Sequence, residues 1–286
     1  MSFYLGYEQS YGNASNVYQF HPSTFEIIEN DTFIEPFFKH DLFLPTHNNI
    51  RSSMRKFVNV KFRLHSIEGL MYILRSLLRW VSYSANTHTF NLKNVSNITT
   101  LTILTNMGYD IQKCLIKNMR LNFNAYTNLT IDVDGEGFYS QLNPTQTSRN
   151  IEPITSLSSS IFTLGTNSMS PININIDITQ TTSHNFILQN VSLENDKLLS
   201  HGKSHIKYSV ICTMDLTKYN NLITNTKDNL ILQLGNTTQG LKISGQSVYN
   251  IDVMYKNKSN VVATISGYMI DQATNVYLYS AYGMLP

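Results

Sequence analysis

Three acidic residues, Asp132, Asp134 and Glu136, occupy alternate positions of the segment Asp132-Val133-Asp134-Gly135-Glu136-Gly137. Alternate residues of an extended chain point to the same side, so the three carboxylates share one strand face. Carboxylates grouped this way have two chemical uses. They can supply oxygen ligands to a hard cation, and Asp-x-Asp-Gly matches the start of a calcium loop. Such a loop also needs later ligands and a closing glutamate, yet Leu142-Asn143-Pro144 follows instead. The second use is an acidic surface that repels polyanions, as the lining of a channel would. The plain alternative is a solvated polar face running into a glycine turn.

Other reactive side chains do not assemble into a known pattern. His201 and His205 stand four apart, which pairs them on a helix, but their neighbours read as a loop entering a strand. Cys114 and Cys212 have no Cys or His at ligand spacing, so they read as buried free thiols. The chain carries no nucleophile elbow, phosphate-cradling glycine loop or zinc-hydrolase helix. The expectation is a protein that is not an enzyme, with no catalytic residues, no metal and no cofactor.

Composition agrees with that direction. Charged residues are 14% of the chain and the formal net charge is +2, so the basic stripe of a dedicated nucleic-acid binder is missing. Passive contact with DNA stays open. The chain is 42% hydrophobic, enough to fold rather than stay disordered. No apolar run reaches the ~18 residues of a membrane span. Met1 to Ser15 has neither the basic start nor the apolar stretch of a signal peptide. The chain is expected to be made and assembled in a cytoplasm, without membrane insertion.

Hydrophobic periodicity places the elements. Residues Met1 to about Asn49 read as extended arms and short strands. Val58, Val60, Phe62 and Leu64 alternate with polar residues, the pattern of a half-buried strand. The period then changes. Ile67, Leu70, Met71, Leu74, Leu77, Leu78 and Val81 recur at steps of three and four, which predicts a core-packing helix with Ser66 as N-cap and Trp80 in the core. Strands are predicted at 87–92, 99–104, 115–123 and 127–133, and a Ser-, Thr- and Pro-rich linker within 142–166. Ile172, Ile174, Ile176 and Ile178 alternate with Asn and Asp, opening a second β-rich half with strands at 205–214, 230–234, 248–255 and 261–269 and a weaker helix at 216–226. The fold class is mainly β, in two domains, 1–148 and 149–286.

The two halves match in order. Strand Phe57–Leu64, the helix from Ile67, strand Thr89–Leu92, a hairpin and Gly137-Phe138-Tyr139 correspond to strand Ile206–Met214, the turn Tyr219–Thr224, strand Leu230–Leu234, the pair Val248–Tyr255 and Val261–Ile265, and Gly267-Tyr268-Met269. Low identity leaves two unrelated β domains as the competing account; a duplication explains the shared order.

Phe57–Leu64, the Leu-rich helix Glu68–Trp80 and Asn86-Thr87-His88-Thr89-Phe90 resemble, in this order, the tail tube proteins of long-tailed bacteriophages. Gly108–Asn124, Ile172–Ile178 and Ile206–Met269 continue the same layout, and the resemblance runs from about Met54 to Ser280. It implies two tandem tail-tube-like β-sandwich or barrel domains, each flanked by a helix, in a structural subunit of the virion tail. Single-domain relatives of that kind form rings of six, so a doubled chain is expected to form trimeric rings with pseudo-sixfold symmetry, stacked into a tube. A true hexamer with one half outside is the alternative. The resemblance further implies tape measure, tail terminator and tail tip or baseplate proteins as partners, with viral DNA passing non-specifically through the lumen. Asp132, Asp134 and Glu136 are the candidates for facing it. Other virion roles, in a baseplate or as capsid decoration, and a carbohydrate-binding module remain as competing readings. A sugar binder should cluster Trp and Tyr on one face, and the single tryptophan, Trp80, falls in the predicted helix.

Overall fold

The computed structural model describes residues 3–10, 13–20, 22–29, 57–67, 69–92, 99–105, 110–124, 129–140, 149–150, 157, 159–181, 203–270 and 274–280. The N-terminal half contains β1 (Phe3–Ser10), β2 (Asn13–Phe20), β3 (Thr24–Glu29), β4 (Phe57–Leu64), helix α1 (Leu70–Leu77), β5 (Arg79–Ser84), β6 (Thr87–Asn91), β7 (Leu101–Thr105), β8 (Asp110–Asn124), β9 (Thr130–Ser140) and β10 (Arg149–Asn150). The C-terminal half contains β11 (Ser160–Leu164), β12 (Asn167–Gln180), β13 (Ser204–Asp215), helix α2 (Leu216–Ile223), β14 (Lys227–Gly235), β15 (Gly240–Lys256), β16 (Asn260–Met269) and β17 (Asn275–Tyr279). The fold is mainly β, as the alternation of apolar and polar residues dictates.

The strand pairings repeat between the halves. Strands β1–β2, β1–β7, β3–β4, β4–β9, β7–β8 and β8–β9 pair antiparallel in the first. Strands β11–β12, β11–β14, β12–β13, β13–β16, β14–β15 and β15–β16 pair antiparallel in the second. Strand β12 therefore does the work of β2 and β3 together, and β15 is the counterpart of β8. The counterpart of β14 is β7. The sequence order aligns β14 with Thr89–Leu92, but Thr89–Asn91 lies in β6, which pairs with β17 of the other half. The hairpin β5–β6 thus extends the second half's sheet, a long-range choice that periodicity does not encode. At the expected boundary, β10 pairs parallel with β2 and so belongs with the first half.

The long strands serve two layers because they bend. Strand β8 pairs with β7 through its first residues and with β12 through Asn118–Asn124. Against β9 it carries two register shifts, one at the end of the β7-paired stretch, with Lys113 at φ 54, and one just before the β12-paired stretch. A bulge adds a residue to one strand and turns it, which is how a strand passes from one layer of a sandwich to the other. Opposite these bulges β9 has Gly135 and Gly137. A Cβ at Gly137 would come within 2.7 Å of Ile111 Cγ2, so the two strands approach too closely there for any side chain. These glycines are inside the strand and do not form the turn expected after Asp134.

Helix α1 spans eight residues, shorter than predicted, and every residue but Arg75 is buried. A helix apolar nearly all round must sit inside. It packs on β8 and, across the joint between halves, on β12. The expected N-cap, Ser66, does not cap it: Gly69 holds the N-cap position without a side-chain bond. The helix stops before Arg79 because β5 begins there and pairs with β6, so tertiary pairing overrides the helical period. Trp80 leaves the core with it, 37% exposed, its ring 5.0 Å from the Arg75 guanidinium. Helix α2 is amphipathic and buries only Leu222. Asp215 caps it by accepting from the Lys218 amide at 2.8 Å, which holds that carboxyl below its ordinary value.

One apolar core runs through both halves, from Phe3 and Leu74 to Ile243 and Leu278. Cys114 and Cys212 are free thiols inside it, and burial pushes the Cys212 thiol up to about 12. Buried polar bonds tie the halves under the joint. Gln180 donates to the Ile116 carbonyl and Ser204 donates to the Leu77 carbonyl at the end of α1, while within the first half the Ser76 hydroxyl accepts from the Ile116 amide at 3.1 Å and fixes α1 on β8. Removing the Ser204 hydroxyl leaves a helix-end carbonyl without that donor in a dry site. Ser204→Ala is therefore expected to cost about 1–3 kcal/mol in a urea melt, and a loss below about 0.5 kcal/mol would contradict the tether.

Candidate functional site

Eight strands form one continuous antiparallel sheet in the order β3-β4-β9-β8-β12-β13-β16-β15, counting the far parts of β8, β12 and β15. The halves meet in its middle, where Asn118–Asn124 pairs with Asn173–Thr179. One face of this sheet covers the core with Val60, Phe62, Val133, Met119, Leu121, Ile174, Ile176, Tyr208, Val210 and Ile265. The other face is polar and accessible, and both halves build it together.

Register sorts that face into rows across the strands. In one row Arg63 stands opposite Asp132, Asp132 opposite Arg120, Arg120 opposite Asp177 and Asp177 opposite Lys207. Charge thus alternates over five consecutive strands and across the joint. The contacts are direct. Arg63 donates from Nε at 2.6 Å and Nη2 at 3.0 Å to the two Asp132 oxygens, a bidentate pair. Arg120 Nε donates to Asp177 Oδ1 at 2.7 Å. Each aspartate raises the pKa of its arginine further, through the hydrogen bond first and the charge second. The next row holds Glu26, Lys61, Asp134, Asn118 and Thr179. On the other side lies an uncharged row of Thr130, Asn122, Asn175, Ser209, Ser266 and Asn250. There Asn122 donates to Asn175 at 2.7 Å and Ser266 to Ser209 at 3.1 Å.

Of the three predicted acids, Asp132 and Asp134 lie on this accessible face. Glu136 shares their side by register but is fully buried and ion-paired with Lys117. Lys117 is the extra residue of the β8 bulge between Ile116 and Asn118, so it is free of cross-strand pairing and folds over the carboxylate. Glu136 therefore leaves the candidate surface. Nor is the surface an acidic wall, because its cations are interleaved with the acids. Sequence reasoning missed Arg63, Arg120, Asp177 and Lys207. Alternation marks each as the polar side of a strand, but only register reveals who stands opposite whom. Among the described residues, no group of three or more His, Cys, Asp or Glu could hold a metal ion, and His201 lies outside them. Among the same residues, no helix is long and apolar enough to cross a membrane.

The sheet has two edges without a partner strand among the described residues. Strand β3 pairs only with β4, and β15 beyond Tyr249 pairs only with β16. On β15, Val253, Met254 and Tyr255 are 42%, 62% and 58% exposed. Native proteins blunt an edge with charge, proline, a bulge or a covering element; this stretch carries Asp252, Lys256 and a register shift between Val253 and Tyr255 beside its exposed apolar side chains. The two edges are not arbitrary. Strand β15 is the repeat counterpart of β8, and β3 of the far part of β12, the two strands joined in the middle of the sheet. Compared with known proteins, the chain matches no family model and no curated protein.

Proposed function

We propose that this protein is the subunit of a viral tail tube, a structural protein and not an enzyme, in which three chains close a ring around a channel for DNA. The observation that carries the reading is the relation between the central joint and the open edges. Inside the chain, the β8 of one repeat pairs with the β12 of the next. If the same joint forms between chains, β15 of one copy pairs with β3 of the following copy. Each joint then advances the sheet by one repeat, and three chains supply six. Closure removes both edges, and the polar face becomes the inner wall. Rings then stack head to tail, a heterologous contact that extends into a tube. The same reading takes the tape measure, tail terminator and tail tip or baseplate proteins as neighbours of the assembled tube.

Electron cryo-microscopy of the purified protein, with symmetry left free, tests this. The expected result is a tube whose rings hold three chains, each placing both halves against the lumen. Rings of six chains with one half outside would overturn the trimer, and compact monomers at high concentration would overturn the tube itself.

A further inference from the structure

We infer that Asp132 and Asp177 act as masks: they occupy Arg63 and Arg120 so that the polar face does not hold a nucleic-acid phosphate backbone. The inference rests on the channel reading only for its biological setting; the masking is a property of the face in any state of the chain.

The argument starts from what an unmasked face would do. Arginine presents a planar fork of donors that matches phosphate as well as carboxylate. Arg120 sits in the middle of a broad sheet surface and Arg63 two strands away, beside the β3 edge, with 60% and 44% of their side chains exposed. Two such groups at fixed spacing, repeated around a channel, would add phosphate contacts at every ring and hold a passing polyanion. The structure places a carboxylate opposite each. Asp132 takes both Nε and Nη2 of Arg63, and Asp177 takes Nε of Arg120. Asp132 also faces Arg120, and Asp177 faces Lys207. In the next row Lys61 lies between Glu26 and Asp134. A phosphate reaching the bonded edge of either guanidinium must displace a carboxylate oxygen, and one reaching the remaining Nη donors meets the charge of the carboxylate beside them. The alternating row also cancels its own field within a few ångströms, well inside the Debye length of about 8 Å in physiological salt. The face therefore neither attracts a polyanion from a distance nor offers it an arginine without a carboxylate against it. A uniformly acidic wall would repel it instead, and the interleaved cations argue against such a wall.

Exposed ion pairs add little to stability, so removing the carboxylates should spare the fold. The test uses the full chain carrying Asp132→Asn and Asp177→Asn, a labelled double-stranded DNA fragment and fluorescence anisotropy. The native chain is expected to show no measurable retention. The double variant is expected to bind, with affinity falling about tenfold between ~50 and ~200 mM salt, as two added phosphate contacts per chain require. Adding Arg63→Gln and Arg120→Gln to the double variant should return binding to the native level. The inference is overturned if the double variant binds no better than the native chain, or if the quadruple variant still binds. It is also overturned if the native chain binds with that salt dependence. Microscopy of the same samples scores tube formation separately, so loss of tubes with the expected DNA result would sink the channel reading and leave the masking intact.

Discussion

Val253→Pro leaves the chain folded and abolishes its assembly. The expectation follows from where the backbone groups of β15 point. The Gln246 carbonyl accepts from the Ile270 amide, on the β16 side of the strand. The Tyr249 amide donates to the Thr226 carbonyl, on the opposite side. Backbone groups alternate along a strand, so Ile251 and Val253 also point away from β16, toward the open edge. Proline at 253 removes a donor there and leaves the β15–β16 ladder its hydrogen bonds. The side chain is exposed, so little packing is lost. The monomer should melt in urea within about 1 kcal/mol of the native chain, as surface substitutions do. Rings and tubes should vanish from light scattering and negative-stain images. Val253→Thr keeps both the donor and the branched shape, and should assemble. Tubes from the proline variant would mean that this edge is not the joint.

Leu74→Ala has the opposite signature, a loss of fold rather than of association. Leu74 is fully buried in the one core that both halves share. Its helix lies under the joint between β8 and β12, where it has little room to collapse into a cavity. Large-to-small changes at such sites cost about 2–5 kcal/mol, through lost transfer energy and the void left behind. Urea melts should show that loss as a lowered midpoint with an unchanged slope, in a single transition, because one core serves both halves. A loss below about 0.5 kcal/mol would remove Leu74 from the core. Two separate transitions would show that the halves fold independently.

The sequence by itself determined the class of the fold and the sidedness of its strands. Period-two alternation in Val58–Leu64 and Ile172–Ile178 sets which residues face the core, since a slip by one would bury Arg63 or Asp177 and expose the apolar set. The order of elements around the two glycine-aromatic segments, Gly137-Phe138 and Gly267-Tyr268, carried the repeat of strand pairings for the same reason: each strand is marked by its own local pattern. Everything that depended on a distant partner was decided by the tertiary structure. Arg79–Ser84 continues a helical period, yet it becomes a strand because β6 offers it a ladder and β17 offers one to β6. Trp80 is exposed as a result. Glu136 obeys the alternation of its strand and is still lost from the polar face, because a bulge in the neighbouring strand drops Lys117 onto it. The opposition of Arg63 to Asp132 and of Arg120 to Asp177 spans 69 and 57 residues of chain. Such pairs are set by register, and register is fixed only when the whole sheet chooses which apolar face to bury.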